Sequence, residues 1–223
     1  MPELKKFQVQ TARPLPIIIL ADTSGSMSVD GKIEGLNKGL KDMIQSFAGE
    51  SRLRAEIQVC VITFGGNQAA INLPLTPAHQ LSGFTSLTAD GMTPLGGALT
   101  LLCDMVEDKD CIPSRAYRPV VVLVSDGYPN DEWEGAFQRL AQGERSSKAT
   151  RFAMAIGADA DQDMLSAFAN DPEAPLFQAE NAGDIHRFFR AVTMSVSARS
   201  QSATPNQSTP LHIQGADDQD WEF

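Results

Sequence analysis

The chain lacks most of the features that would tie it to a secreted framework, a membrane or a familiar catalytic motif. Only three cysteines, Cys60, Cys103 and Cys111, occur in 223 residues, with no C-x-x-C pair. An odd, scattered set excludes a disulfide framework and a thiolate zinc site. No apolar run approaches the ~20 residues that a membrane span needs. The opening stretch MPELKKFQVQTARPLP has no apolar signal-peptide core. A cytoplasmic location is therefore expected, in which a Cys103–Cys111 bridge is disfavoured. The three histidines, His79, His186 and His212, fall away from strand ends, where a triad base would sit. No G-x-S-x-G elbow surrounds Ser24, Ser26, Ser86 or Ser125, and no G-x-x-x-x-G-K-[ST] phosphate loop occurs. Basic residues are also scarce, 18 Lys and Arg against 28 Asp and Glu, for a formal net charge of −10. Such a surface repels nucleic acid and anionic lipid, so neither is expected as a partner.

What is present is a repeated alternation of strand-like and helix-like segments. Ile17–Ala21 and Val120–Val124 are unbroken apolar runs, as strands buried on both faces are. Ile33, Leu36, Leu40, Ile44 and Phe47 recur every three to four residues, the mark of an amphipathic helix. Leu95, Leu99, Leu102 and Val106 repeat the pattern, with Pro94 at the helix start. The stretches EIQVCVITFG and AAINLPL, joined by the turn GGNQ, predict a hairpin. Pro74 and Pro77 place its second strand at a sheet edge. Further on come a helix carrying Trp133, Phe137 and Leu140, the strand RFAMAIG, a short helix with Leu165 and Phe168, the extended PLFQA, and a last helix with Phe188 and Val192.

The expected fold is α/β: a doubly wound, mostly parallel central sheet with one antiparallel edge strand and helices on both faces. Residues 1–13 form an N-terminal arm, 14–200 the domain, and 201–223 a flexible acidic tail outside the core. No Lys or Arg follows Arg199, while Asp217, Asp218, Asp220 and Glu222 crowd the end. In such folds ligands bind beyond the carboxyl ends of the strands, where the strand order reverses. The two apolar strands end in Asp22 and Asp126, which puts both aspartates on that edge. Asp22 is followed by Ser24 and Ser26, so one carboxylate and two hydroxyls lie within five residues. Hard divalent cations take oxygen ligands of this kind and keep some water. Alone, the string also suits a turn and a helix cap.

D-T-S-G-S-M at 22–27, the threonine of GMTPLGGAL and the aspartate of VSDGYPND resemble the von Willebrand factor A (VWA) domain. In that family the pattern D-x-S-x-S, then T, then D forms a metal-ion-dependent adhesion site (MIDAS). The resemblance implies hydroxyl ligands from Ser24, Ser26 and Thr93, with Asp22 and Asp126 bound directly or through water. The implied cation is Mg²⁺, or Mn²⁺ or Ca²⁺, and the last ligand is a Glu or Asp of a protein partner. Roughly residues 12–199 are covered, and the implied fold is the VWA, Rossmann-like one. Within the family the chain is most similar to the bacterial tellurium-resistance TerY-like group, through PLPIIILADTSGSM, KIEGLNKGL, VITFGG, TPLGGAL, SDGYPNDEW and FFRAVTMSVSARS. That group is implied in stress response or phage defence beside a Ser/Thr kinase and a PP2C-type phosphatase, either of which is an expected partner. Some relatives carry a cysteine-rich metal-binding segment, which is absent from this sequence.

The expected activity is therefore binding, not catalysis. Two alternatives stand beside it: a Mg²⁺-dependent phosphotransfer enzyme using Asp22, and a structural domain with an unused site. An aspartyl phosphotransferase has a second acid two residues after its nucleophile, where this chain has Ser24. Trp133 is expected to pack on the core more than to rim the site. Asp90 is either an orienting residue or an ordinary loop acid.

Overall fold

The computed structural model describes residues 12–170, 172, 174–207 and 211. Six strands form one sheet: β1 (Arg13–Asp22), β2 (Ala55–Gly65), β3 (Gln68–Pro77), β4 (Val120–Ser125), β5 (Thr150–Ile156) and β6 (Phe177–Ala179). Among the described residues five α-helices cover it: α1 (Lys32–Ala48), α2 (Leu95–Glu107), α3 (Glu134–Gln142), α4 (Gln162–Phe168) and α5 (Ala182–Gln201). The strand order is β3-β2-β1-β4-β5-β6. Every pairing is parallel except β2 with β3. The expected doubly wound sheet with one antiparallel edge strand is therefore the observed one, and Pro74 and Pro77 lie in that edge strand, β3.

The unbroken apolar runs have a simple cause. Successive side chains of a strand point to opposite faces. Ile17 and Ile19 of β1, with Val120, Val122 and Val124 of β4, enter a core shared with α1 and α5. Ile18, Leu20, Val121 and Leu123 enter a second core with α2 and α4. With a core on each side, no position of the central strands can be polar until they end. Helices α1 and α5 pack closely because α1 presents glycine to α5: a Cβ on Gly39 would lie 2.5 Å from the Phe189 ring.

The chain reverses its winding between β1 and β4, so the loops after these strands diverge and leave a crevice. All three cysteines are free. Among the described residues no helix is long and apolar enough to cross a membrane. The stretch after Ser200 differs in one respect from a tail that adds nothing to the core. Leu211 is buried in the α1/α5 core, and Asn206 Oδ1 accepts the Arg118 N–H. The acids expected at 217–222 lie outside the described residues.

Candidate metal-binding site

Asp22 and Asp126 reach the same edge because β1 and β4 are neighbours in register, Ala21 opposite Val124. A chain of hydrogen bonds links the loops that follow. Asp22 Oδ1 accepts the Ser24 N–H at 2.8 Å, and Oδ2 accepts the Ser125 hydroxyl at 2.6 Å. The Ser24 and Ser26 hydroxyl oxygens are 3.0 Å apart. Ser26 donates to Asp126 Oδ1 at 2.7 Å, while Oδ2 of the same carboxylate accepts from the Lys32 ammonium at 2.7 Å. Asp22 is fully buried, and burial pushes its pKa up from the ordinary carboxylate value.

Thr93 arrives from the loop before α2. Its N–H donates to Asn130 Oδ1 at 3.1 Å, and the Asn130 N–H donates back to the Thr93 carbonyl at 3.2 Å. A Cβ on Gly127 would stand 4.0 Å from both Ser26 Oγ and Thr93 Oγ1, so the Thr93 and Ser26 hydroxyls both lie beside Gly127. The structure thus brings together all five residues expected at the site.

Backbone contacts hold these loops. Thr23 N–H donates to the Phe64 carbonyl, Asp90 N–H to the Thr23 carbonyl, and Gly25 N–H to the Gly91 carbonyl. The Gly66 N–H donates to the Asp90 carbonyl, and the Met92 N–H donates to the Gly66 carbonyl. The β2–β3 turn is thereby sewn between the Asp22 loop and the Thr93 loop. Gly91 has φ +69°, and a Cβ there would collide with the Gly66 backbone. Only glycine combines that conformation with that approach. At α2, Asp131 Oδ1 and Oδ2 accept the Gly96 and Gly97 N–H groups at 2.8 and 2.9 Å, satisfying free donors of the first turn.

Four supporting residues, Lys32, Ser125, Asn130 and Asp131, were not singled out from sequence. Lys32 reads as an ordinary polar residue at a helix start, and only the fold shows its ammonium on Asp126. Ser125 had a signal, as the first polar residue after a fully apolar strand. Asp90 is exposed and joins the site through its backbone. Trp133 packs against the second core, 5.8 Å edge-to-face from Phe137.

Among the described residues, no group of three or more His, Cys, Asp or Glu side chains is placed to hold a metal. Oxygen donors dominate here, three hydroxyls and two carboxylates. That set suits a hard divalent ion that retains water, not a soft ion needing thiolate or imidazole.

Several solved structures share the fold. One is the ArnB paralog VWA2 from Sulfolobus acidocaldarius, with TM-score 0.60 and 15% identity over 81% of this chain and 45% of that one. Another is a von Willebrand factor type A protein from Catenulispora acidiphila, with TM-score 0.62 and 21% identity over 82% and 42%. A third is proximal thread matrix protein 1 of the mussel byssus, with a zinc-occupied MIDAS motif, TM-score 0.59 and 16% identity over 82% and 45%. The chain spans a little under half the length of each of these three. A comparison with curated protein sequences gave no match. The model of the von Willebrand factor type A domain matches residues 17–191. The chain belongs to the von Willebrand factor type A domain family.

Proposed function

We propose that this protein is a metal-dependent protein-binding module. Ser24, Ser26 and Thr93, with Asp22 and Asp126, would hold one divalent cation, Mg²⁺ before Mn²⁺ or Ca²⁺, and a Glu or Asp of a partner would complete its shell. The observation that carries this reading is the hydrogen-bonded run from Asp22 through Ser24 and Ser26 to Asp126, with Thr93 facing it. The zinc-occupied motif of the mussel protein supports a cation at this place in the fold.

Charge supports a carboxylate as the outer ligand. The Lys32 ammonium offsets one of the two aspartates. A bound dication therefore leaves the site net positive, and an incoming carboxylate gains a charge-assisted contact. The rim supplies the rest: Val29 (51% exposed), Met92 (56%) and Tyr128 (68%) stand on the three loops that carry Ser26, Thr93 and Asp126. A partner acid flanked by apolar residues fits that rim. Burial of Asp22, with both oxygens engaged, argues against a phosphoryl-accepting nucleophile there.

The setting we propose is a cytoplasmic, bacterial stress-response, tellurium-resistance or phage-defence system of the TerY-like kind, with a Ser/Thr kinase or PP2C-type phosphatase as partner. A pull-down from the native host with Mg²⁺ and with EDTA tests it. The partner is expected with Mg²⁺ only, and not with Asp22→Ala or Thr93→Ala. Retention at full strength by both folded variants in EDTA would overturn the metal mechanism.

A further inference from the structure

The amino-terminal edge of the sheet, opposite the metal edge, gathers arginines in a chain whose net charge is strongly negative. Arg13 opens β1, Arg52 and Arg54 precede β2, and Arg115 and Arg118 precede β4; all five are exposed. Among the described residues none of Arg13, Arg52, Arg54 and Arg118 is paired with a carboxylate. Arg13 instead donates to the Arg115 carbonyl and lies 4.1 Å over the Tyr117 ring. Glu50, two residues before Arg52, accepts from the Gln201 amide, and Glu56, two residues after Arg54, lies 3.9 Å from His79 Nδ1.

Beside these arginines lies a hollow of about 260 Å³, lined by Arg13, Leu53, Arg54, Tyr117, Ser202 and Ala203. Leu53 is 91% exposed, so an apolar side chain waits at its mouth. The root of the C-terminal segment forms one wall. Helix α5 ends at this edge, where Arg199 donates to the Arg118 and Pro205 carbonyls. Five residues lie between Leu211 and Asp217, so the reach is about 20 Å when extended. The sequence there, ADDQDWEF, joins four acids to two aromatic residues.

The geometry points to an intramolecular clasp: residues 217–223 dock on the arginine edge, with acids on Arg52, Arg54 and Arg118 and an aromatic ring on Leu53 and the hollow. Single exposed ion pairs contribute little. Four acids facing several arginines form a network, and the tether supplies millimolar effective concentration. The clasp holds these carboxylates at the end of the domain opposite the metal edge.

The test uses the full chain labelled with 5-fluorotryptophan. The two tryptophans, Trp133 and Trp221, give two fluorine resonances, assigned by Trp221→Phe. At low salt the Trp221 resonance is expected away from that of a synthetic 212–223 peptide, and it should move to the peptide position by about 1 M NaCl as screening shortens to about 3 Å. Arg52→Glu with Arg54→Glu should lose the displacement at every salt concentration. Adding Asp217→Lys, Asp218→Lys and Asp220→Lys in that background should restore it. A Trp221 resonance at the peptide position in low salt overturns the clasp. So does indifference to the Arg52/Arg54 reversal. A displacement that grows with protein concentration overturns it too, by placing the segment on a second copy.

Discussion

The two edges of this sheet handle buried charge in opposite ways. At the carboxyl edge, Asp22 and Asp126 are fully enclosed, and their partners are short side chains and one ammonium, which link the two loops through the Ser24 and Ser26 hydroxyls. At the amino edge the buried charge is Arg199, 2% exposed, which donates to the Arg118 and Pro205 carbonyls and to Thr150 Oγ1. Burial pushes its pKa down to about 10, so it stays charged at neutral pH. Both solutions satisfy a desolvated ion with hydrogen bonds and not with an opposite charge alone. They differ in what remains. Arg199 is consumed in fastening the end of α5, a structural task. The aspartates and serines retain oxygen lone pairs, an arrangement that the proposed cation would complete.

Four substitutions probe this division, beginning with the greatest effect. Asp22→Ala should lower Mn²⁺ affinity at least about 100-fold by calorimetry, by removing a charged ligand and the anchor of Ser24 and Ser125. A change below tenfold would place the cation elsewhere. Gly91→Ala should cost about 3 kcal/mol in denaturant unfolding, since positive φ and the Gly66 contact are both violated. It should weaken metal binding as well, because the seam positions Thr93. Arg199→Met should cost about 2 kcal/mol by leaving carbonyl acceptors unpaired, while Mn²⁺ affinity stays within twofold. An equal loss of metal affinity would erase the distinction between the edges. Lys32→Met should raise Mn²⁺ affinity about tenfold by removing a like charge beside the site, read by electron paramagnetic resonance. Weaker binding would instead make Lys32 chiefly an anchor for Asp126.

How much of this was legible in sequence depends on how far each feature reaches. Strands β1 and β4 were legible because burial on both faces writes itself as an unbroken apolar run. Asp22 and Asp126 followed, since a run that stops at an acid marks the strand end. The α1 and α2 stripes recorded one buried face each. Thr93 needed the family resemblance, because nothing in its own neighbourhood distinguishes it from other loop threonines. The contacts among three separate segments were not legible. Gly66 and Gly91 look like ordinary turn glycines, and their mutual approach exists only once β3 folds back along β2. Lys32 pairs with a residue 94 positions away, and Leu211 sits in a polar stretch whose composition gives no hint of a buried anchor.

The acids around the metal edge have a kinetic consequence. Asp30, Asp90, Glu132 and Asp159 are exposed on the loops beyond the strand ends. On the proposed binding reading, an acidic partner approaching from solution would meet their repulsion first and the attraction of a loaded site only at contact. Raising ionic strength from about 0.01 to 0.15 M shortens the Debye length from about 30 to 8 Å, which hides the outer ring sooner than the coordinate bond. Capture should therefore quicken with added salt while release barely changes, the reverse of the usual behaviour of electrostatically steered complexes.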